Sequence, residues 1–230
     1  MEVRLETREV CTDGVVPSQP PRLTVSTTLS PGRGLMEVQA VHHTESALWV
    51  GCWEGLISYR EGQPTYHHQV RVYSITSRGD ALFTLSYDSA FFTSYCITRW
   101  DTSRYPQLTQ VWKQEVDGSD RLTAAGEKLV LCHQGYLTVY SCDRGQQLSE
   151  ISYPGMFSYP LCGVEGQGVL VGVGNQLIHL PLDNQQGEPT PRYQCEEYIA
   201  AVCADGTSGR VFIATEGKKI IIITSSGGSV

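Results

Sequence analysis

The sequence predicts an all-β fold, a β-propeller of about five four-stranded antiparallel blades. Three observations predict it. Short apolar runs recur along the chain at an average spacing of about 41 residues, which is typical of propeller repeats. No stretch longer than about ten residues carries the i, i+3, i+4, i+7 apolar pattern of an amphipathic helix. The 23 Gly and 11 Pro residues are spread through the chain, as expected of many short strands joined by turns.

The apolar runs are predicted as the second strand of each repeat. They begin 34, 47, 40 and 42 residues apart, at Leu48, Leu82, Leu129, Val169 and Val211. A strand-like segment follows each run after a short turn, so the two segments together indicate a hairpin. These third strands are predicted at 55–60, 92–101, 135–142, 176–182 and 218–224.

Two further strands complete each predicted repeat. The first strands precede the apolar runs, at 36–41, 70–76, 121–125, 159–164 and 198–204. More polar fourth strands follow the first four hairpins, at 65–69, 108–115, 147–153 and 192–196. The repeat is therefore four antiparallel strands in about 41 residues.

The predicted first strands are rich in small residues, whereas the tryptophans lie later in each repeat. Sheets arranged around an axis crowd together at their innermost strand, so small side chains there favour a propeller over an ordinary sandwich. The small residues are Ala40, Ser74, Ala124, Ala125, Cys162, Gly163, Ala200 and Ala201. The later tryptophans are Trp49, Trp100 and Trp112.

The fifth repeat has no fourth strand of its own, and an unpaired sheet edge needs a partner. We expect residues 22–29 to supply it, because apolar residues alternate there as in a strand. Residues 3–10 alternate too and are either a spare strand or a loose tail. The predicted organisation is a partly flexible leader (1–21), one propeller domain (22–224) and a flexible tail (225–230). The alternative is a fragment of a larger propeller.

Two short motifs resemble known propeller repeats. Trp100-Asp101 ends a predicted third strand, where WD repeats place this dipeptide. The run Leu48-Trp49-Val50-Gly51 is similar to degenerate blades of sensor proteins and of tripartite-motif ubiquitin ligases. Residues 35–224 thus resemble WD-repeat and NHL-like propellers, although the Gly-His pair that opens WD repeats is missing. The resemblance implies a rigid platform whose loops bind other proteins.

Composition narrows the class of partner and the compartment. With 17 Lys and Arg against 24 Asp and Glu, the net charge of −7 disfavours a broad nucleic-acid surface. No apolar run approaches the ~18 residues of a membrane span, and no signal peptide is recognised. The eight cysteines lack a C-x-x-C pair, and most lie in apolar runs, as Cys132 and Cys203 do. We therefore expect buried reduced thiols and a cytoplasmic monomer without a membrane partner.

Aromatic residues in predicted loops are the candidate binding residues, because Trp, Tyr and Arg carry much of the binding energy at protein interfaces. Turns between second and third strands lie on the same face as connections that enter first strands. The alternative is that these aromatics pack between neighbouring sheets. The candidates are Trp53, Tyr87, Asp88, His133, Tyr159 and Tyr198, of which His133 is expected to be a turn residue without a partner.

The predicted function is a non-catalytic protein-interaction scaffold or adaptor, with no catalytic residue, metal or cofactor. The first alternative is a propeller hydrolase or lactonase with a metal in its channel, but the predicted inner strands offer mainly Glu37 and Glu165 as acids. The adjacent histidines His42-His43 and His67-His68 point to opposite faces of a strand, which disfavours chelation. The second alternative is a piece of a multidomain regulator such as a ubiquitin-ligase component.

Overall fold

The computed structural model describes residues 6–11, 37–68, 70–87, 94–118, 121–133, 136–152, 160–164, 168–182, 189–205 and 209–224. All regular secondary structure in these residues is β-strand. None of it is a helix long and apolar enough to cross a membrane.

The strand bounds follow the predicted repeat closely. In chain order the strands are β1 (Glu6–Cys11), β2 (Val38–His43), β3 (Leu48–Cys52), β4 (Gly55–Arg60), β5 (Gln63–His68), β6 (Val72–Arg78), β7 (Ala81–Tyr87), β8 (Tyr95–Asp101), β9 (Thr109–Val116), β10 (Arg121–Ala125), β11 (Lys128–His133), β12 (Tyr136–Ser141), β13 (Gln147–Ser152), β14 (Leu161–Val164), β15 (Gly168–Val173), β16 (Gln176–Leu180), β17 (Thr190–Gln194), β18 (Ile199–Asp205), β19 (Arg210–Thr215) and β20 (Lys219–Thr224).

The strands form five four-stranded sheets, which confirms the predicted all-β propeller fold class. Four of the sheets are antiparallel meanders in sequence order: β2 to β5, β6 to β9, β10 to β13 and β14 to β17. The fifth has the order β1-β20-β19-β18.

The chain divides into two compact units, which we describe separately. The three-sheet unit is Thr27–Ser158 and holds the sheets from β2 to β13. The two-sheet unit is Met1–Ser26 with Tyr159–Val230 and holds the other two sheets. The single domain expected over 22–224 stays a prediction.

An N-terminal strand completes the fifth sheet, as predicted. The prediction that residues 22–29 supply this strand was wrong. β1 lies parallel to β20 within the leader, with Glu6 opposite Lys219 and Cys11 opposite Thr224. Residues 22–29 lie outside the described residues, as do residues 225–230. Both N-terminal segments alternate like strands, so the local pattern could not choose between them.

The first strands of neighbouring sheets contact each other within each unit: β2 with β6, β6 with β10, and β14 with β18. Ser74 Oγ on β6 accepts a hydrogen bond from the Leu122 amide at 3.1 Å and donates one to the Leu122 carbonyl at 3.2 Å. Thr76 Oγ1 accepts one from the Ala124 amide at 3.0 Å. Small residues in these strands permit this approach, as the tapering of a propeller requires.

The sheets pack through different side chains in the two units. In the three-sheet unit the buried clusters contain Trp49, Phe83 and Trp100. In the two-sheet unit the buried cluster is mainly aliphatic: Val164, Leu170, Leu177, Cys195, Ile199, Val211, Ile213 and Ile221. Burial of this apolar surface is the main favourable contribution to folding.

No two of the cysteines whose side chains the structure describes form a disulfide, which agrees with the prediction of reduced thiols, and five of them are buried: Cys52, Cys96, Cys132, Cys142 and Cys195. Cys203 corrects the prediction that its apolar run is buried, because its side chain is exposed. The reason is its position on β18, where Ala200 and Ala201 are exposed as well.

Candidate functional site

The turn between β3 and β4 presents a tryptophan to solvent. It consists of Trp53 and Glu54, and Gly55 follows with a positive φ of 147°. Cys52 pairs with Gly55 across this turn, and its thiol donates a hydrogen bond to the Gly55 carbonyl at 3.2 Å. A two-residue turn leaves its side chains outside the ladder of the sheet. Trp53 is accordingly 40% exposed.

Arg71 supports this tryptophan from the connection between β5 and β6. Its guanidinium lies over the Trp53 ring, and its Nη1 donates a hydrogen bond to the Tyr73 hydroxyl at 2.7 Å. A cation over an indole face is attracted by the negative charge of the ring face. The two contacts hold Arg71 and Trp53 in one arrangement.

A β-bulge directs Tyr73 toward Arg71. Val72 on β6 pairs with Ser86 and Ser74 pairs with Leu85, so Tyr73 between them has no partner in the ladder. A bulge of this kind changes the direction of the side chain that it leaves unpaired. The Tyr73 ring lies 5.3 Å from that of Tyr87 in an edge-on arrangement.

Tyr87 also contacts a third tyrosine, Tyr95. Tyr87 and Tyr95 are opposite each other at the end of the β7–β8 hairpin, with ring centroids 4.2 Å apart. The Tyr95 ring lies 5.8 Å from that of Tyr73. The Tyr87 amide donates a hydrogen bond to the Arg71 carbonyl at 3.1 Å, which ties the hairpin to the connection before β6. We call Trp53, Arg71, Tyr73, Tyr87 and Tyr95 the aromatic cluster.

The aromatic cluster brings together two of the predicted binding residues, Trp53 and Tyr87. They lie on different sheets of the three-sheet unit, at the ends where second strands turn into third strands. The two residues differ in exposure. Tyr87 is half-buried and packs between aromatic rings, whereas Trp53 is exposed.

His133 lies at the end of β11 and does have a partner, contrary to the prediction. Its Nε2 is hydrogen-bonded to Thr138 Oγ1 at 3.1 Å, and its ring lies 5.9 Å from that of Tyr136. Both partners are on β12, so these contacts lie within one hairpin. Tyr136 is 41% exposed and was not identified from the sequence.

Tyr198 belongs to the two-sheet unit, where it is 62% exposed. Its connection, between β17 and β18, is held by backbone hydrogen bonds to two turns. The Glu216 amide donates to the Tyr198 carbonyl at 3.0 Å, and the Ile199 amide donates to the Gly174 carbonyl at 2.8 Å. The exposed ring therefore stands on a backbone that is anchored on both sides.

Charged groups lie beside Tyr198. The Thr215 hydroxyl donates a hydrogen bond to Glu197 Oε2 at 2.8 Å, which lowers the pKa of that carboxyl. Lys219 Nζ lies 3.3 Å from Glu196 Oε2 and 3.4 Å from Glu197 Oε1. The hydrogen bond to Glu196 and the charge of Glu197 raise the pKa of Lys219. Lys219 thus forms ion pairs with both carboxylates at the protein surface.

The other residues singled out from the sequence form no further site among the residues that the structure describes. Asp88 and Tyr159 lie outside them, as does Glu165, and Glu37 is exposed. The ring of His42 is bound to Ser77 Oγ at 2.7 Å, and burial lowers its pKa. In the part of the chain that the structure describes, no three His, Cys, Asp or Glu side chains converge as metal ligands would.

Sequence reasoning missed Arg71, Tyr73 and Tyr95. One signal could have found a tyrosine, whereas the position of Tyr95 needed the structure. The third strand was predicted to begin at residue 92, but β8 begins at Tyr95, and only this register places Tyr95 opposite Tyr87. Tyr73 is two residues after Arg71, a spacing that keeps two side chains on one face of an extended chain. The stacking of Arg71 on Trp53 has no sequence signal.

Comparison with known proteins leaves the family open and identifies the fold. No family model and no curated protein matches the chain. Among solved structures it is similar to BamB from Moraxella catarrhalis, with 14% identity and a TM-score of 0.56 over 77% of this chain and 54% of that one. The chain thus spans about half the length of this BamB.

Two further structures show how widely the fold is used. The WD40 repeats of RRP9 are 11% identical, with a TM-score of 0.58 over 82% of this chain and 63% of that one. The glutaminyl cyclase of Myxococcus xanthus is 12% identical, with a TM-score of 0.50 over 77% of this chain and 85% of that one. At such identities the similarity establishes the β-propeller fold alone.

Proposed function

We propose that this chain is a non-catalytic protein-interaction module whose partners contact the aromatic cluster of the three-sheet unit. The observation that carries the proposal is the exposed Trp53 ring, held in place by Arg71 at the end of a tight turn. In this proposal the chain acts as a monomer in the cytoplasm and binds proteins or peptides.

The residue types of the cluster support binding. Trp, Tyr and Arg are the residues that most often dominate the energy of a protein interface. A side chain that is already held in one conformation loses less entropy when a partner binds. Arg71 holds Trp53 before any partner arrives, and Tyr73 in turn holds Arg71.

The aromatic cluster also offers two kinds of contact at one place. The Trp53 ring provides apolar area, and the Arg71 guanidinium provides positive charge beside it. A peptide with an apolar side chain next to an acidic residue would match both groups. The WD40 repeats among the similar structures agree with a binding role, although the glutaminyl cyclase shows that the fold alone does not select a function. The narrower NHL-like or tripartite-motif relationship stays a prediction.

The test is selection from a displayed peptide library on the purified chain, followed by calorimetry with the selected peptides. We expect Trp53→Ala to weaken binding by about 2 kcal/mol, which is roughly 30-fold. The matched control is Leu148→Ala, because Leu148 is also exposed but lies on the fourth strand of its sheet. It should change affinity less than about twofold.

Two outcomes would contradict the proposal. One is equal binding of the selected peptides to the wild type and to Trp53→Ala. The other is failure to select any peptide while folded protein, checked by circular dichroism, is on the support. If Tyr198→Ala weakens binding while Trp53→Ala does not, the interface lies on the two-sheet unit instead.

A further inference from the structure

A pair of cysteines joins the inner strands of the two-sheet unit. Cys162 lies on β14 and Cys203 on β18, strands of neighbouring sheets that contact each other. The backbone amide of Ala204, the residue after Cys203, donates a hydrogen bond to Cys162 Sγ at 3.1 Å. Cys162 Sγ thus lies against the peptide group that follows Cys203, a residue 41 positions away in sequence, and the two cysteine side chains interact.

The two sulfur atoms differ in accessibility. Among the cysteines whose side chains the structure describes, Cys203 alone is exposed, and Cys162 is half-buried behind it. An oxidant in solution therefore reaches Cys203 first. The other cysteines so described are buried, which protects them from the same reagent.

The electrostatics of the pair favour the same order. The interaction with the Cys162 side chain lowers the pKa of Cys203. The interaction with Cys203, together with burial, raises the pKa of Cys162. Burial and the negative charge of Asp205 oppose the effect at Cys203, although less strongly. Of the two thiols, the accessible Cys203 therefore loses its proton more readily.

We propose that Cys203 and Cys162 are a redox-sensitive pair that forms a reversible disulfide when the protein meets hydrogen peroxide or a related hydroperoxide. The Cys203 thiolate attacks one peroxide oxygen. A sulfur–oxygen bond forms and the oxygen–oxygen bond breaks, leaving Cys203 as a sulfenic acid. The released hydroxide takes a proton and becomes water.

The second step uses the neighbouring thiol. Cys162 attacks the Cys203 sulfur, so the sulfur–sulfur bond forms and the sulfur–oxygen bond breaks. The departing hydroxide takes the Cys162 proton and leaves as water. The two sulfurs together lose two electrons, which have reduced one peroxide to two waters. A dithiol reverses the reaction by exchange and is itself oxidised to a disulfide.

This site is independent of the proposed binding function. It lies in the two-sheet unit, whereas the aromatic cluster belongs to the three-sheet unit. The disulfide would link β14 and β18 covalently, whereas side-chain packing and hydrogen bonds hold these two strands together in the reduced protein. Failure of the peptide-binding test would therefore not affect it.

The test uses the purified full chain, treated with a small excess of hydrogen peroxide and then with N-ethylmaleimide to block remaining thiols. After proteolysis without reductant, mass spectrometry should find the Cys162 and Cys203 peptides joined, with the loss of two hydrogen atoms. Dithiothreitol should separate them. The same treatment in concentrated urea should abolish the preference for this pair.

Three variants separate the steps. Cys203→Ser should abolish the linked peptides and leave Cys162 as an unmodified thiol. Cys162→Ser should leave Cys203 as a sulfenic acid that dimedone captures. Cys132→Ser is the matched control, because it removes a buried cysteine from the other unit and should leave the linked pair unchanged.

The proposal is overturned if Cys203 of the wild type remains fully available to N-ethylmaleimide after peroxide treatment. It is also overturned if Cys203 links to any cysteine other than Cys162. Both results come from the wild-type chain, so they decide the matter even where a variant fails to fold.

Discussion

The two units are built from the same strand plan but fill the spaces between their sheets differently. In the three-sheet unit large aromatic side chains, led by Trp49 and Trp100, lie between sheets. In the two-sheet unit the corresponding space is filled mainly by aliphatic side chains such as Leu170 and Ile213. One four-stranded repeat therefore accepts two solutions for its core.

A buried tryptophan requires a hydrogen-bond acceptor, whereas a buried aliphatic side chain does not. A buried indole N–H needs an acceptor, since leaving it unpaired costs about 1–3 kcal/mol. Trp49 Nε1 donates to Thr44 Oγ1 at 3.0 Å, and Trp100 Nε1 donates to Thr84 Oγ1 at 2.9 Å. These directional bonds orient each tryptophan, and the two-sheet unit lacks them because all four tryptophans lie outside it.

The units agree at one glycine position of the second strand. A Cβ added at Gly51 would lie 2.7 Å from Val72 Cγ1, and one added at Gly172 would lie 2.9 Å from Ile199 Cγ2. Val72 and Ile199 are each the first residue of the next inner strand. Both glycines thus permit the same close approach between neighbouring sheets.

The largest expected effect comes from removing an aromatic core residue. Trp49 is fully buried, so Trp49→Ala should destabilise the protein by about 3–5 kcal/mol through lost burial and a cavity. Denaturant unfolding followed by circular dichroism measures this. The exposed Trp53 is the control, and Trp53→Ala should cost about 1 kcal/mol or less. Equal effects of the two substitutions would contradict the proposed importance of the interior indoles.

The glycine position tests what the units share. Gly51→Ala and Gly172→Ala should each destabilise by about 1–3 kcal/mol, because each added methyl group overpacks a sheet interface. Hydrogen exchange of the strands on either side measures the effect in each unit separately. If only one substitution is costly, the two glycines do not have a common role.

The hydroxyl of Tyr105 tests the importance of directional hydrogen bonds in the three-sheet unit, with a smaller expected effect on stability. Tyr105 lies edge-on to Trp49, with ring centroids 5.9 Å apart, and its hydroxyl is hydrogen-bonded to Ser58 Oγ at 3.0 Å. Tyr105→Phe should lower the free energy of unfolding by about 1 kcal/mol. Tyr193→Phe is the control in the two-sheet unit, since the Tyr193 ring packs on the aliphatic cluster and no hydrogen bond to its hydroxyl is seen among the described residues. If Tyr193→Phe lowers the free energy of unfolding as much as Tyr105→Phe does, the two units do not differ in their use of directional hydrogen bonds.

The smallest expected effect is a pH dependence at the surface of the two-sheet unit. The Thr215 hydroxyl lowers the pKa of Glu197 below its ordinary value of 4.5. The ionised Glu197 carboxylate therefore contributes to stability above pH 4.5. This contribution is lost as the pH falls through the lower pKa that Glu197 has in the folded state. Thr215→Val should raise the pKa of Glu197 and reduce this acid sensitivity. Carboxyl titration by NMR measures the change, and an unshifted pKa in the variant would refute the assignment.

Much of the fold could be predicted because it depends on local patterns. The second strands were found from short apolar runs, and β4 occupies the residues 55–60 predicted for it. Small residues such as Ser74 correctly marked the inner strands, because crowding there constrains side-chain size at each position. The binding candidates were predictable only as exposed turn residues, of which Trp53 is the clearest.

The sequence by itself determined the all-β class, the four-stranded repeat and the turns that present Trp53 and Tyr198, since alternation and turn residues act over a few positions. The tertiary structure decided that β1 completes the fifth sheet, that Arg71 stacks on Trp53, and that Cys162 meets Cys203. Each of these depends on contacts between strands or loops of different parts of the chain. Such contacts depend on how the sheets and loops pack together, and a local pattern does not specify which distant residues that packing brings into contact.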